Sequence, residues 1–245
     1  MVNCSARHIL ISPTRMKEQK RLWRNFLKDK GDSMDIKEAI RMLEAKRRLI
    51  EKTCKDTIPR KIGVKAVNLT NQNFREGGFN DGGLKPWKRT KRQDDSFYGK
   101  KAASKYGPLL SARNHLSRSN EYEVQVDGTK VKVILSNPVS YAAIHNKGGI
   151  VESNPRVTPK MRKYFWARYY HLAGIKKKTG KKARKQKEEN LPEEALKYKR
   201  LALTRKSTLK VKAKIPQRQF IGQSKELDEI VRTTVINELE KIWEK

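Results

Sequence analysis

Apolar and polar positions change period several times along this chain, and each change marks a predicted element. Residues 16–30 place Leu22, Trp23, Phe26 and Leu27 on one side of a short basic helix that Gly31 ends. Ser33 caps a second helix, whose apolar positions are Ile36, Ala39, Ile40, Leu43, Ile50 and Cys54. Thr57 and Pro59 open a third helix through Ile62, Ala66, Leu69 and Phe74, stopped by Gly77-Gly78. From 76 to 108 the periodicity vanishes, and the Gly-rich polar sequence reads as a long loop pinned at Trp87, Phe97 and Tyr98. "LLSARNHL" (109–116) reads as a short helix or turn.

The period then shortens to two. Tyr122, Val124 and Val126 alternate with polar residues, as do Val131, Val133 and Leu135, with Asp127-Gly128 between them. That is a β-hairpin with one apolar face, which packs most simply on a helix. Asn137-Pro138 ends it, and "VSYAAIHNKGG" forms a helical turn closed by Gly148-Gly149. Residues 157–174 form a helix with Phe165, Trp166, Tyr169 and Tyr170 on one side, followed by a weaker helix within "LPEEALKYKRLALTRK". "STLKVKAKI" alternates as a strand, and "PQRQFIG" turns. The last helix, 225–243, has the stripe Leu227, Ile230, Val231, Val235, Leu239, Ile242 and Trp243. The fold class is α+β: an antiparallel β-sheet packed against helices, with an N-terminal helical extension and a C-terminal amphipathic helix.

Charge adds what the pattern cannot. The chain has 245 residues with 58 Lys+Arg against 26 Asp+Glu, a formal net charge of +32. Residues 151–220 hold 22 basic and 5 acidic residues, and residues 176–187 hold eight basic in twelve. Such a chain works beside a polyanion or an acidic assembly partner. In the stretch 160–187, arginines and lysines could contact phosphate while aromatics stack on bases; a core-facing aromatic stripe followed by a solvated lysine arm is the competing reading. The candidate contact residues for DNA or an acidic partner are Lys176, Lys177, Lys178, Lys181, Lys182, Arg184, Lys185 and Lys187.

Catalytic patterns are not found. "GGFNDGG" lacks the Lys-Ser/Thr and preceding strand of a phosphate loop. The four histidines are scattered, and Cys4 and Cys54 have no metal-ligand spacing and read as free thiols. No catalytic residue, cofactor or metal is therefore expected. No run of 18 apolar residues spans a membrane, and the N-terminal apolar piece is too short for a secretory signal.

Three segments in order carry a family pattern: "FREGGFNDGGLKPWKRTKR" (74–92), "GPLLSARNHLSRSNEYEVQVDGTKVKVILSNPVSYAAIHNKGG" (107–149) and "IPQRQFIG" (215–222). Together they resemble the phage virion morphogenesis family, which includes the tail-completion proteins of Mu-like phages. "YAAIHNKGG" and "IPQRQFIG" are the most specific pieces. The family commonly has glycine where Asn114 stands. The resemblance covers residues 57–245 and divides the chain into an extension, 1–56, and a tail-completion-like domain, 57–245. That domain includes the loop 76–108 and a Lys-rich insert at about 175–190.

The resemblance implies scaffold roles for Trp87, Tyr141, His145, Asn146, Gly148, Gly149, Pro216, Arg218 and Phe220, with Arg218 locking its segment through a bidentate contact. It also implies a structural virion protein at the neck or head-proximal tail end, present in the host cytoplasm during assembly. Such proteins form homo-oligomeric rings, often of six, around the DNA channel. Expected partners are further copies, tail tube and head–tail connector proteins, and genomic DNA contacted non-specifically. The alternative is a sequence-independent nucleic-acid-binding protein using 160–187.

Overall fold

The computed structural model describes residues 36–94, 97, 105–175 and 191–244. The helix expected at 16–30, the Ser33 cap, Tyr98 and the Lys-rich run 176–187 lie outside them. The described residues form two compact units: one takes the chain up to Trp87, Arg113–Ala142 and Gln219 onward, the other takes Lys88–Ala112 and Ala143–Arg218.

In the first unit, α1 (Ile36–Lys52) is followed by a π-helical turn, Thr53–Thr57, and then by α2 (Ile58–Glu76). The sequence suggests a break at Thr57. Instead Lys52, Thr57 and Ile58 all keep right-handed helical backbone, so the chain stays helical through the junction. Ile58 N–H bonds back to Thr53 O, five residues earlier, and Pro59, which has no N–H to give, follows where the α-helical ladder restarts. Gly77 ends α2 in the left-handed region (φ 70°) and donates its N–H to Asn73 O.

The expected loop 76–108 holds a small antiparallel hairpin, β1 (Gly78–Asn80) with β2 (Leu84–Pro86), and a short helix α3 (Lys91–Asp94). Three-residue strands escape alternation analysis, and Gly82 and Gly83 both take positive φ to make the turn. After a second short helix, α4 (His115–Arg118), comes the ribbon of β3 (Glu121–Asp127) and β4 (Lys130–Ser136). Asp127 pairs with Lys130, so the turn is Gly128-Thr129 rather than Asp127-Gly128. Of its two central residues, only Gly128 has positive φ (57°), the φ pattern of a type II′ turn.

The ribbon lies on α2, where Gly63 makes the close approach possible. A Cβ at that position would stand 2.1 Å from the Tyr122 ring. Asparagines anchor the base of the ribbon: Asn120 Nδ2 donates to Asn71 Oδ1 of α2 (3.0 Å), and Asn137 Nδ2 donates to Asn120 Oδ1 and to Leu116 O (both 2.8 Å).

In the second unit, α5 (Ala142–Lys147), which begins at the boundary, leads into β5 (Gly149–Ser153). Then follow α6 (Pro159–Leu172), α7 (Glu193–Leu203) and β6 (Val211–Ile215), the antiparallel partner of β5. β5 is missing from the sequence reading because "GIVES" offers Ile150 and Val151 side by side instead of alternating. Thr158 caps α6 by accepting from Met161 N (3.2 Å), with Pro159 in the first turn.

The final helix, α8 (Lys225–Trp243), returns to the first unit, capped by Ser224, which accepts from Leu227 N. Its most buried residues are Thr234, Glu238 and Ile242. Lys65 Nζ donates to Thr234 Oγ1 (2.9 Å), and Lys61 and Lys241 both bond the Glu238 carboxylate (2.6 and 2.7 Å). The buried line thus includes two polar residues beside the apolar stripe. At the other end, Lys46 of α1 reaches Ile242 O and sits over the Trp243 ring. Ala39 and Met42, on the same side of α1 as Lys46, are half-buried, while Ile36, Ile40 and Leu43 are exposed.

Candidate functional site

The two most specific motifs meet in the second unit. Gly148 turns the chain out of α5 with φ 73°, and a Cβ there would meet the backbone N of Gln217 at 2.8 Å. Gly149, at φ 143°, then pairs with Ile215 to start the β5–β6 ladder. One residue past Gln217, Arg218 N donates to His145 O (2.8 Å). Pro216 is the residue between strand and contact, fixing φ where the chain leaves β6. "YAAIHNKGG" and "IPQRQFIG" are therefore two sides of one backbone junction.

The Arg218 side chain is buried (6% exposed) and spans the segment after Trp87. Its Nε donates to Lys88 O (3.0 Å) and its Nη2 to Arg89 O (3.4 Å), so one planar guanidinium holds two successive carbonyls. Arg92 does the same for another loop, with Nη2 donating to Gly107 O and Leu110 O. Burial, with Arg92 adding repulsion, makes the Arg218 guanidinium easier to deprotonate than usual. Burial, and secondarily the Arg218 charge, holds His145 below its ordinary value, so its imidazole favours the neutral form. Asn146 is half-buried beside it in α5.

The same segment continues into the first unit with a different task. Phe220 is 1% exposed and packs on Phe74 (centroids 4.9 Å), which also meets Trp87 edge-on at 5.5 Å. Trp87 Nε1 donates to Gln219 O (2.7 Å). Asn73, also buried, donates to Phe220 O (3.2 Å) while its Oδ1 accepts from Asn80 N and Nδ2. Tyr141 is different: it is 42% exposed, with its hydroxyl 3.3 Å from His115 Nδ1.

Asn73, Arg92 and the Asn71–Asn120–Asn137 set are absent from the sequence reading. The only available signal was a polar residue on an otherwise buried helix side, as Asn73 is beside Phe74. Asn114 explains its own position: at φ 48° it occupies the left-handed region, which asparagine tolerates better than most residues with a side chain.

Half of the aromatic stripe packs inward. Phe165 and Tyr169 are buried, and Tyr169 forms a core with Ile175 and Ala195, flanked by Trp166, Tyr170 and Tyr198. Arg168 is buried against the Tyr198 and Phe97 rings. The seven lysines and one arginine of 176–187 lie outside the described residues. Among the described residues, no group of His, Cys, Asp or Glu is placed to hold a metal ion, and no helix is long and apolar enough to cross a membrane.

This arrangement is a class of architecture in which the signature residues hold backbone: glycines at close approaches, arginines across carbonyls, an asparagine and a tryptophan on chain oxygens. Residues 34–240 match the phage virion morphogenesis family, and the chain belongs to that family, a protein of phage particle assembly. The match begins at residue 34, upstream of the first quoted motif, and takes in α1. Comparisons with curated proteins and with solved structures found no match.

Proposed function

We propose that this chain is a non-catalytic subunit of the neck or head-proximal tail end, where it completes the tail and joins it to the head. Copies close into a ring, six being the expected number, around the DNA channel, against tail tube and connector proteins. The subunit reaches that place from the host cytoplasm as particles assemble.

The observation that carries this reading is the family match over 34–240, which contains every motif. The geometry supports it: Arg218, Trp87 and Phe220 are used up in holding their own chain. The positive charge of 151–220 suits contact with channel DNA or acidic neighbours, a contact that salt weakens. The alternative of a nucleic-acid-binding protein using 160–187 has a reduced base-stacking surface, because Phe165 and Tyr169 are inside while Tyr164, Trp166 and Tyr170 reach the surface at least in part.

The test is particle composition. Phage particles are purified on a density gradient, heads are separated from tails, and the protein is quantified by mass spectrometry. A few copies per particle at the tail or neck is the expected result. Absence from particles, with recovery on intracellular nucleic acid, overturns it.

A further inference from the structure

The β3–β4 ribbon carries opposite charge on its two strands. Its inner face packs Tyr122 against α2, with Val124, Val131, Val133 and Leu135 half-buried on the same side. On the outer face, β3 shows Glu121, Glu123, Gln125 and Asp127, and β4 shows Lys130, Lys132, Ile134 and Ser136. All of these are exposed except Ile134, which is half-exposed. One strand is thus acidic and the other basic. Among the described residues Asp127, Lys130 and Lys132 take part in no ion pair.

Both strands are also edges, since the ribbon pairs with no further strand among the described residues. In a hairpin closed by a two-residue turn, the closing pair exchanges both of its hydrogen bonds, and pairs then alternate. Asp127↔Lys130, Gln125↔Lys132, Glu123↔Ile134 and Glu121↔Ser136 therefore bond inward. The N–H and C=O of Tyr122, Val124 and Val126 point out of one edge, and those of Val131, Val133 and Leu135 point out of the other. Seven residues of open edge run about 23 Å at 3.3–3.4 Å per residue. Soluble proteins rarely leave such an edge uncovered.

We infer that the β4 edge of one copy pairs antiparallel with the β3 edge of the next, so that the occupant of each edge is a second copy of this chain. The choice of occupant follows from charge. Paired antiparallel along their full length, two β3 edges would put Glu121 across from Asp127, and two β4 edges would put Lys130 and Lys132 across from Ser136 and Ile134 with no carboxylate opposite. In contrast, β4 beside β3 in the ribbon's own register puts Lys130 across from Asp127 and Lys132 diagonal to Glu123 and Asp127. β3 and β4 are already antiparallel, so the same step repeated continues an antiparallel sheet from copy to copy. The contact is heterologous, the kind that closes into a ring by rotation. It rests on the ring reading for its biological setting but is tested separately from it.

The test uses the full chain in two charge-swapped forms. Lys130→Glu with Lys132→Glu makes both edges acidic, and Glu123→Lys with Asp127→Lys makes both basic. All four positions are exposed, and circular dichroism checks that each variant folds. Sedimentation velocity over a concentration series is the readout. The wild-type chain is expected to associate, each variant alone to lose at least about tenfold in apparent association constant, and an equimolar mixture to recover it. A wild-type chain that stays monomeric throughout overturns the inference, as do variants that associate alone like wild type or a folded mixture that fails to recover. Variants that still form rings remove the edge and leave the ring; a single copy per purified particle removes the ring itself.

Discussion

The two units reach stability by different means. The second has between α6 and α7 an aromatic cluster, Tyr169 with Trp166, Tyr170 and Tyr198, whose members lie at most 32 residues apart in sequence. The first is held by Phe74, Trp87 and Phe220, drawn from distant parts of the chain, and by hydrogen bonds that tie side chains to remote backbone. Aromatic burial is non-directional and tolerates small shifts, whereas bonds to named carbonyls admit one arrangement. The α6–α7 cluster can form early, whereas the Arg218 clasp on Lys88 and Arg89 and the Phe74–Trp87–Phe220 cluster both wait for the segment 218–220, because long-range contacts carry a loop-closure cost.

Truncating the central ring of each unit probes this contrast most strongly. Phe220→Ala is expected to cost about 3–5 kcal/mol and to unfold the first unit, because it removes a ring and loosens the carbonyl that Asn73 holds. Tyr169→Ala costs about as much but is confined to the second unit. Urea unfolding followed by near-UV and far-UV circular dichroism distinguishes two separate transitions from one merged transition.

Gly63→Ala is next. Alanine favours a helix by about 1 kcal/mol over glycine, yet its Cβ would meet the Tyr122 ring. The net effect is a loss of about 1–3 kcal/mol by overpacking. In a Tyr122→Ala background the same change is expected to stabilise. A double-mutant cycle by chemical denaturation reads the reversal.

pH separates the units without substitution. His145, in the second unit, is held below 6.5, chiefly by burial. The unfolded chain then takes a proton first, so stability is full above pH 6.5 and falls as pH drops towards the folded value. In the first unit, hydrogen bonds from Lys241 and Lys61 hold Glu238 below 4.5. Its contribution is present above pH 4.5 and is lost as pH falls through the folded value. Thermal unfolding from pH 7.5 to 3 is expected to show the second unit weakening first, with His145→Gln flattening the upper step and Glu238→Gln the lower.

The smallest effect is expected at Lys212, whose pair with Glu152 across β5–β6 is exposed on both sides. Lys212→Ala should cost less than about 0.5 kcal/mol in the same assay.

What was legible in the sequence follows this contrast. The helices α2, α6 and α8 and the β3–β4 ribbon announce themselves through long periodic runs. The Tyr169 stripe was visible as a stripe. β1, β2 and β5 were not, because three to five residues are too few for a period and their pairing partners are set by tertiary structure. The junction of Gly148 with Gln217 and of Arg218 with His145 O joins residues about 70 apart. Its motifs could be read as a pattern, but not as two sides of one contact. Asn73 was the hardest to see, since its value lies in replacing a backbone partner.

The π-helical turn at 53–57 has a consequence for the whole N-terminal rod. Each residue advances a helix by about 100°. Counted along an uninterrupted helix, Ile36, Ile40, Leu43, Ile50 and Cys54 continue the line on which Lys61 and Lys65 meet α8. In the molecule that line is out of phase: Lys46 faces α8, on the side of Ala39 and Met42, about one residue's rotation away. A π turn takes up one extra residue, which is the offset required. Removing a single residue between 53 and 57 would rotate α1 about its own axis and deliver its exposed isoleucines to α8. The turn thus works as a phase setting that decides which side of the rod the outside world meets.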